Sequence, residues 1–169
     1  MTRIVVADTS PLIALGRVGY LWLLHDLYAG IAIPPAVSDE LRLGSGRPGE
    51  GAAADAFEQG WLQVRELSAE SARSLSELVL ILDRGEAEAI LLAKQVDARF
   101  LLIDERMGRA VAKRRGVPVV GTAGVLLVAK KRGLVDAVLP VLKKMELAGY
   151  RMSAGLTSEV ARLAGEGGL

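Results

Sequence analysis

Short apolar runs recur along the chain and alternate with longer stretches of helical period. Residues 4–7, 31–33, 100–103 and 117–120 are apolar, mostly β-branched, and each stops at a polar residue, a proline or a glycine. They read as buried strands. Residues 61–65 alternate and read as a further strand. Helices are expected over 11–15, 20–28, 36–43, 52–59, 71–83, from Gly85 through Ala93, and over 106–115, 123–132, 135–147 and 154–164. The glycine-rich stretch 44–51 reads as a loop, and 165–169 as a fraying end. Strands alternating with helices imply a mostly parallel sheet with right-handed crossovers. The expectation is an α/β chain with one domain over residues 1–169.

Two of the strands run into carboxylates. Asp8 follows the first, and Asp104 follows the run at 100–103. In an open α/β sheet the ligand crevice lies beyond the carboxyl ends of the strands. Asp8 precedes Thr9, Ser10 and Pro11, a helix-start pattern, so turn or cap duty is the competing reading for it. Glu40 shares a helix face with Ala36 and Val37. A carboxylate on an apolar face costs free energy unless it is paired or binds a cation. Glu86 and Glu88 fall in the first turn of the helix opened by Gly85, where acids complement the helix dipole. Glu86 is in register with Ala89, Ile90 and Ala93. Glu88 points roughly 200° away round the helix, so Glu86 is the favoured site residue.

Composition narrows the chemistry. The chain has 169 residues, no cysteine and one histidine, His25. Disulfides, thiolate metal sites and multi-histidine zinc sites are excluded within one chain. Any metal site must be built from Asp and Glu, which favours Mg²⁺ or Mn²⁺. No signal-peptide pattern or membrane span is read, so the expected setting is cytoplasmic. Net charge is +1, but from Glu105 to Arg151 eleven Lys and Arg face three acids. That segment carries +8 and the remainder −7, an asymmetry suited to a polyanion.

Asp8 and Asp104 converge if their strands are neighbours, and Glu40 and Glu86 can reach the same place. Four carboxylates together repel unless a cation lies among them. Such a site activates water and stabilises charge on a phosphodiester. The stretches IVVADTSPLIALGRVGYLWLL, IPPAVSDEL, LDRGEAEAILLA, LLIDERMGRAVAKRRGVPVVGTAGVLLVAKKRG and AGYRMSAGL, in that order, resemble the PIN-domain superfamily, in particular its DUF3368-type branch of VapC-like toxin candidates. The resemblance implies a three-layer α/β/α sandwich and a Mg²⁺- or Mn²⁺-dependent ribonuclease, as a homodimer and as the toxin of a toxin–antitoxin pair with a small antitoxin. It implies that Asp8, Glu86 and Asp104 hold the metal, that Glu40 helps orient water there, and that Thr9 or Ser10 supplies a hydroxyl. Glu at the third acid position, where the toxins usually have Asp, is a departure. The candidate RNA contacts are Ser10, Arg106, Lys113, Arg114, Lys130 and Lys131, with Arg115 and Arg132 in the same basic clusters. With aromatics at 4%, extensive base stacking is not expected. Two other classes compete: a phosphoryl-acceptor domain using Asp8, and a non-catalytic PIN-like binding module.

Overall fold

The computed structural model describes residues 3–43 and 50–167. Five parallel strands, β1 (Val5–Ala7), β2 (Ile31–Ile33), β3 (Leu62–Val64), β4 (Phe100–Leu102) and β5 (Val119–Val120), form one sheet in the order β3-β2-β1-β4-β5. Val5–Ala7 pairs in register with Phe100–Leu102 on one side, and Val5 and Val6 pair with Ile31 and Ala32 on the other. Strands β1, β2 and β4 are buried at every residue, as expected of a parallel sheet covered on both faces. The chain fills one side of β1 first, then crosses to β4. The strand order therefore reverses between β1 and β4, where doubly wound sheets open their ligand crevice.

Ten α-helices lie among the described residues, and the fold is an α/β sandwich of the expected class. Helix α1 (Thr9–Arg17) leaves β1 directly. Helix α2 (Trp22–Tyr28) packs on β2. Helices α3 (Pro35–Leu43) and α4 (Glu50–Glu58) follow, then α5 (Leu75–Leu78) and α6 (Arg84–Gln95). Helix α6 lies against β1 and β4 and packs on α3. Helices α7 (Arg106–Arg114), α8 (Thr122–Lys131), α9 (Leu139–Leu147) and α10 (Ala154–Ala164) complete the chain.

Several boundaries differ from expectation for identifiable reasons. The expected helix 71–83 is a 3₁₀ turn at Ser71–Ser74, the single turn α5, and then irregular backbone. Asp83 is extended (φ −68°, ψ 164°) and caps α6, so a helix cannot run through it. Strand β5 starts at Val119 because Pro118 has no N–H for the ladder; its carbonyl still accepts from Leu101. Helix α9 begins at Leu139, next to Pro140, not at Val135. The Glu166 carboxylate accepts the Val138 and Leu139 N–H groups at 2.8 and 3.0 Å and pairs with Lys130 at 3.0 Å. The stretch expected to fray is thus anchored at Glu166. Most of the expected loop 44–51 lies outside the described residues; Glu50 and Gly51 already belong to α4.

Candidate active site

Asp8 and Asp104 leave neighbouring strands. The Asp8 N–H donates to the Leu102 carbonyl at 2.9 Å, extending the ladder one residue beyond β1. Asp8 occupies the N-cap position of α1, yet its side chain makes no capping bond. Turn or cap duty therefore does not account for this carboxylate, which is 3% exposed. Asp104 stands at the N-terminus of α8. Its Oδ1 accepts the Thr122 N–H at 2.7 Å and its Oδ2 accepts the Thr122 hydroxyl at 2.6 Å. Thr122 is the first residue of α8, and Gly121, not Thr122, is its N-cap.

Glu86 and Glu88 diverge as their spacing requires. Glu88 is buried, but its Oε1 accepts the Ala36 N–H at the start of α3 (3.1 Å), and its Oε2 accepts from Arg84 Nε (2.8 Å). It serves the α3–α6 contact. Glu86 is also buried, and its Oε2 has no hydrogen-bond partner. A Cβ built on Gly108 of α7 would meet that oxygen at 2.6 Å. Glu40 lies over Gly85, where a Cβ would collide with its Oε1. Two glycines thus leave room for two carboxylates. The Thr9 hydroxyl is buried without a regular hydrogen bond, while Ser10 is exposed.

The electrostatics show the cost of this arrangement. Burial pushes Asp8 from 3.8 up to about 7; the Thr9 N–H opposes this, and the charges of Asp83, Glu40 and Asp104 add to it. Burial raises Glu40, against the pull of the Thr9 hydroxyl and the Gly85 N–H. Glu86 is pushed from 4.5 up to about 8, by burial first and then by the adjacent Asp83 carboxyl. In each case burial is the largest cause and neighbouring acids add to it. A hard, oxygen-ligated divalent cation fits this donor set and would give the orphaned Glu86 oxygen a partner. The cluster is nonetheless open: among the described residues, no three acidic side chains converge as a formed chelating group.

The sequence profile of DUF3368, described as a PIN domain, matches residues 4–166. The chain belongs to the PIN-domain family. No curated protein matches it. PIN domains have a nuclease fold, generally act as nucleases and usually use divalent metals. No described helix is long and apolar enough to cross a membrane.

Around this PIN-domain site the basic residues separate into two sets. Arg106 and Lys113 line a groove of about 920 Å³ together with Asp104, Arg109 and Tyr150. Ser10 lines a second cavity of about 320 Å³ with Arg17, Tyr150 and Arg151. Lys130 is not brought to the site: it sits at the far end of α8, donating to the Ala164 carbonyl at 2.6 Å and to Glu166. Arg114 and Lys131 are exposed and line neither cavity. Sequence reasoning missed Asp83, whose Oδ1 accepts the Glu86 N–H at 2.8 Å. The spacing Asp83-Arg-Gly-Glu86 has the form of a capping box and could have revealed it. It also missed Tyr150 and Arg109.

Proposed function

We propose that the chain is a divalent-metal-dependent ribonuclease that hydrolyses RNA phosphodiester bonds. What supports this reading is that Asp8 and Glu86, both buried, are held well above the usual carboxylate pKa by burial and by neighbouring acids, at the β1–β4 switch point of a PIN-domain sheet. Asp8, Glu86 and Asp104 hold Mg²⁺ or Mn²⁺ in this reading. When bound, the cation stabilises charge on the phosphate and lowers the pKa of water.

The chain's own residues do the rest. Thr122 fixes the Asp104 carboxylate through two short hydrogen bonds. Asp83 holds the first turn of α6, and with it the backbone of Glu86. Glu40, which lies over Gly85, would orient the attacking water in this reading. Arg106 and Lys113 meet the phosphates of the strand, and Ser10 supplies a hydroxyl at its edge. Pairing with a small antitoxin, homodimerisation and a cytoplasmic setting complete the proposal; co-purified peptide and elution volume on size exclusion test the first two.

The test is cleavage of a mixed tRNA and mRNA pool by the purified protein with Mn²⁺ or with EDTA, beside Asp8→Asn. Cleavage that needs both the metal and Asp8 is expected. Cleavage that survives EDTA sinks the metal assignment. A second reading, the non-catalytic binding module, is favoured by the open arrangement of the acids. It gains the field if the folded protein neither cleaves RNA nor binds Mn²⁺.

A further inference from the structure

One cavity lies beside the first turns of α1 and a second beside Asp104, and two residues, Tyr150 and Arg151, line both of them. Tyr150 borders the smaller cavity with Ser10, Arg17 and Arg151, and the larger groove with Asp104, Arg109 and Lys113. Its backbone is fixed: the Tyr150 N–H donates to the Met145 carbonyl at 2.9 Å, closing the end of α9, and Gly149 before it takes φ +104°. The ring packs in part on the core and stays partly exposed. Its hydroxyl lies against Asp104 and Thr122. Tyr150 is therefore a rigid aromatic partition placed beside an active-site carboxylate, with cationic side chains on both sides.

We propose that Tyr150 is the strand-dividing residue of this site. An RNA strand crosses the acids with its backbone met by Arg17 on one side and by Arg109 and Lys113 on the other, with Arg151 bordering both. The nucleotide between them leaves its neighbour's stack and lies on the Tyr150 ring. Leu127, Leu156 and Val160 give the larger groove an apolar floor for the displaced base. A recess whose acids are less than a tenth exposed at Asp8 and Glu86 requires such a bend, because a stacked strand presents its phosphates along a smooth line. Aromatic stacking tolerates any base, so Tyr150 selects unpaired RNA and not a sequence. This rests on the ribonuclease reading above.

The experiment uses the full chain carrying Asp8→Asn, so that RNA is bound without being cut. The probes are a fluorescein-labelled unstructured RNA and a fully paired RNA duplex, followed by anisotropy. Tyr150→Phe keeps the ring and is expected to bind unstructured RNA within about two-fold of its parent. Tyr150→Leu keeps apolar bulk against the core but offers no π-face; its affinity for unstructured RNA falls about ten-fold or more, while duplex affinity changes less than about two-fold. Thermal melts confirm that both variants fold. Equal losses for the two RNAs, or for Phe and Leu, overturn the proposal, as does unchanged binding by Tyr150→Leu. Failure of the Asp8→Asn parent to bind either RNA overturns the ribonuclease reading with it, which separates the two outcomes.

Discussion

Replacing Asp8 by Asn removes a carboxylate that the metal-free fold keeps at a cost. The side chain is 3% exposed, and its pKa stands at about 7 against 3.8 for the free group. That gap is about a thousand-fold in proton affinity, or about 4 kcal/mol. The sign follows from proton binding. Below about pH 4 Asp8 is protonated in both states and costs nothing. Between about pH 4 and 7 the unfolded chain releases the proton while the folded chain keeps it. The folded state then binds more protons, so stability falls as pH rises. Above about pH 7 the full penalty is present. Asn has no such proton, so Asp8→Asn should gain on the wild type by about 2–4 kcal/mol between pH 4.5 and pH 8 in EDTA. For a chain of this size that is on the order of 10 °C in Tm.

Urea unfolding at four pH values, followed through the fluorescence of the buried Trp61, measures this difference. Glu40 and Glu86 are present in both proteins, so subtraction isolates Asp8 and its repulsion of them. Saturating Mn²⁺ at pH 8 should narrow the difference: a hundred-fold excess over Kd adds about 2.7 kcal/mol to the protein that binds it, and in the proposed site the Asn variant lacks one ligand. A stability difference that stays constant within about 0.5 kcal/mol from pH 4.5 to pH 8 refutes the argument.

The remaining expectations are narrower. Asp104→Asn should abolish RNA cleavage while circular dichroism stays native; cleavage at the wild-type rate removes Asp104 from the site. Gly108→Ala places a Cβ against Glu86 Oε2 and Ile103 Cδ1, and should weaken Mn²⁺ binding by about 10–100-fold in calorimetry. Glu88→Ala orphans the Ala36 N–H and should cost about 1–3 kcal/mol of stability in urea, with Mn²⁺ affinity unchanged. Lys113→Ala should reduce the salt slope of RNA binding by about 0.7, whereas Lys130→Ala should leave the slope alone and lower Tm through loss of the Glu166 clamp.

How much of this was legible in the sequence depends on which kind of signal each residue carries. Asp8 and Asp104 were readable because a buried parallel strand is a continuous apolar run whose end is marked by the first polar residue. Their being neighbours was not, since strand order is set by long-range pairing; only the β1–β4 register brings them together. The choice of Glu86 over Glu88 followed from helical period alone, because two residues along a helix is about 200°, and Glu88 does face α3 instead. Charge counting was the weakest guide. Lys130 and Lys113 are indistinguishable in a tally of basic residues, yet one closes a helix end and the other lines a groove.

The residues that escaped notice share a physical cause: each matters through where the fold places it relative to the acids. Gly85 and Gly108 matter for the Cβ they lack, and only the positions of Glu40 and Glu86 show that space to be needed. Asp83 looks like the end of an apolar run, but its role is to fix the first turn of α6, from which Glu86 projects. Tyr150 lies more than forty residues beyond Asp104 in a stretch with no strand to mark it. It reaches the site because α9 ends against α1, and the Tyr150 N–H closes that end. A sheet edge can collect acids from strand ends with little help from the rest of the chain. Neutralising and spacing those acids takes helix termini, glycines and a returning C-terminal segment, and that cooperation is where the single-residue reading runs out.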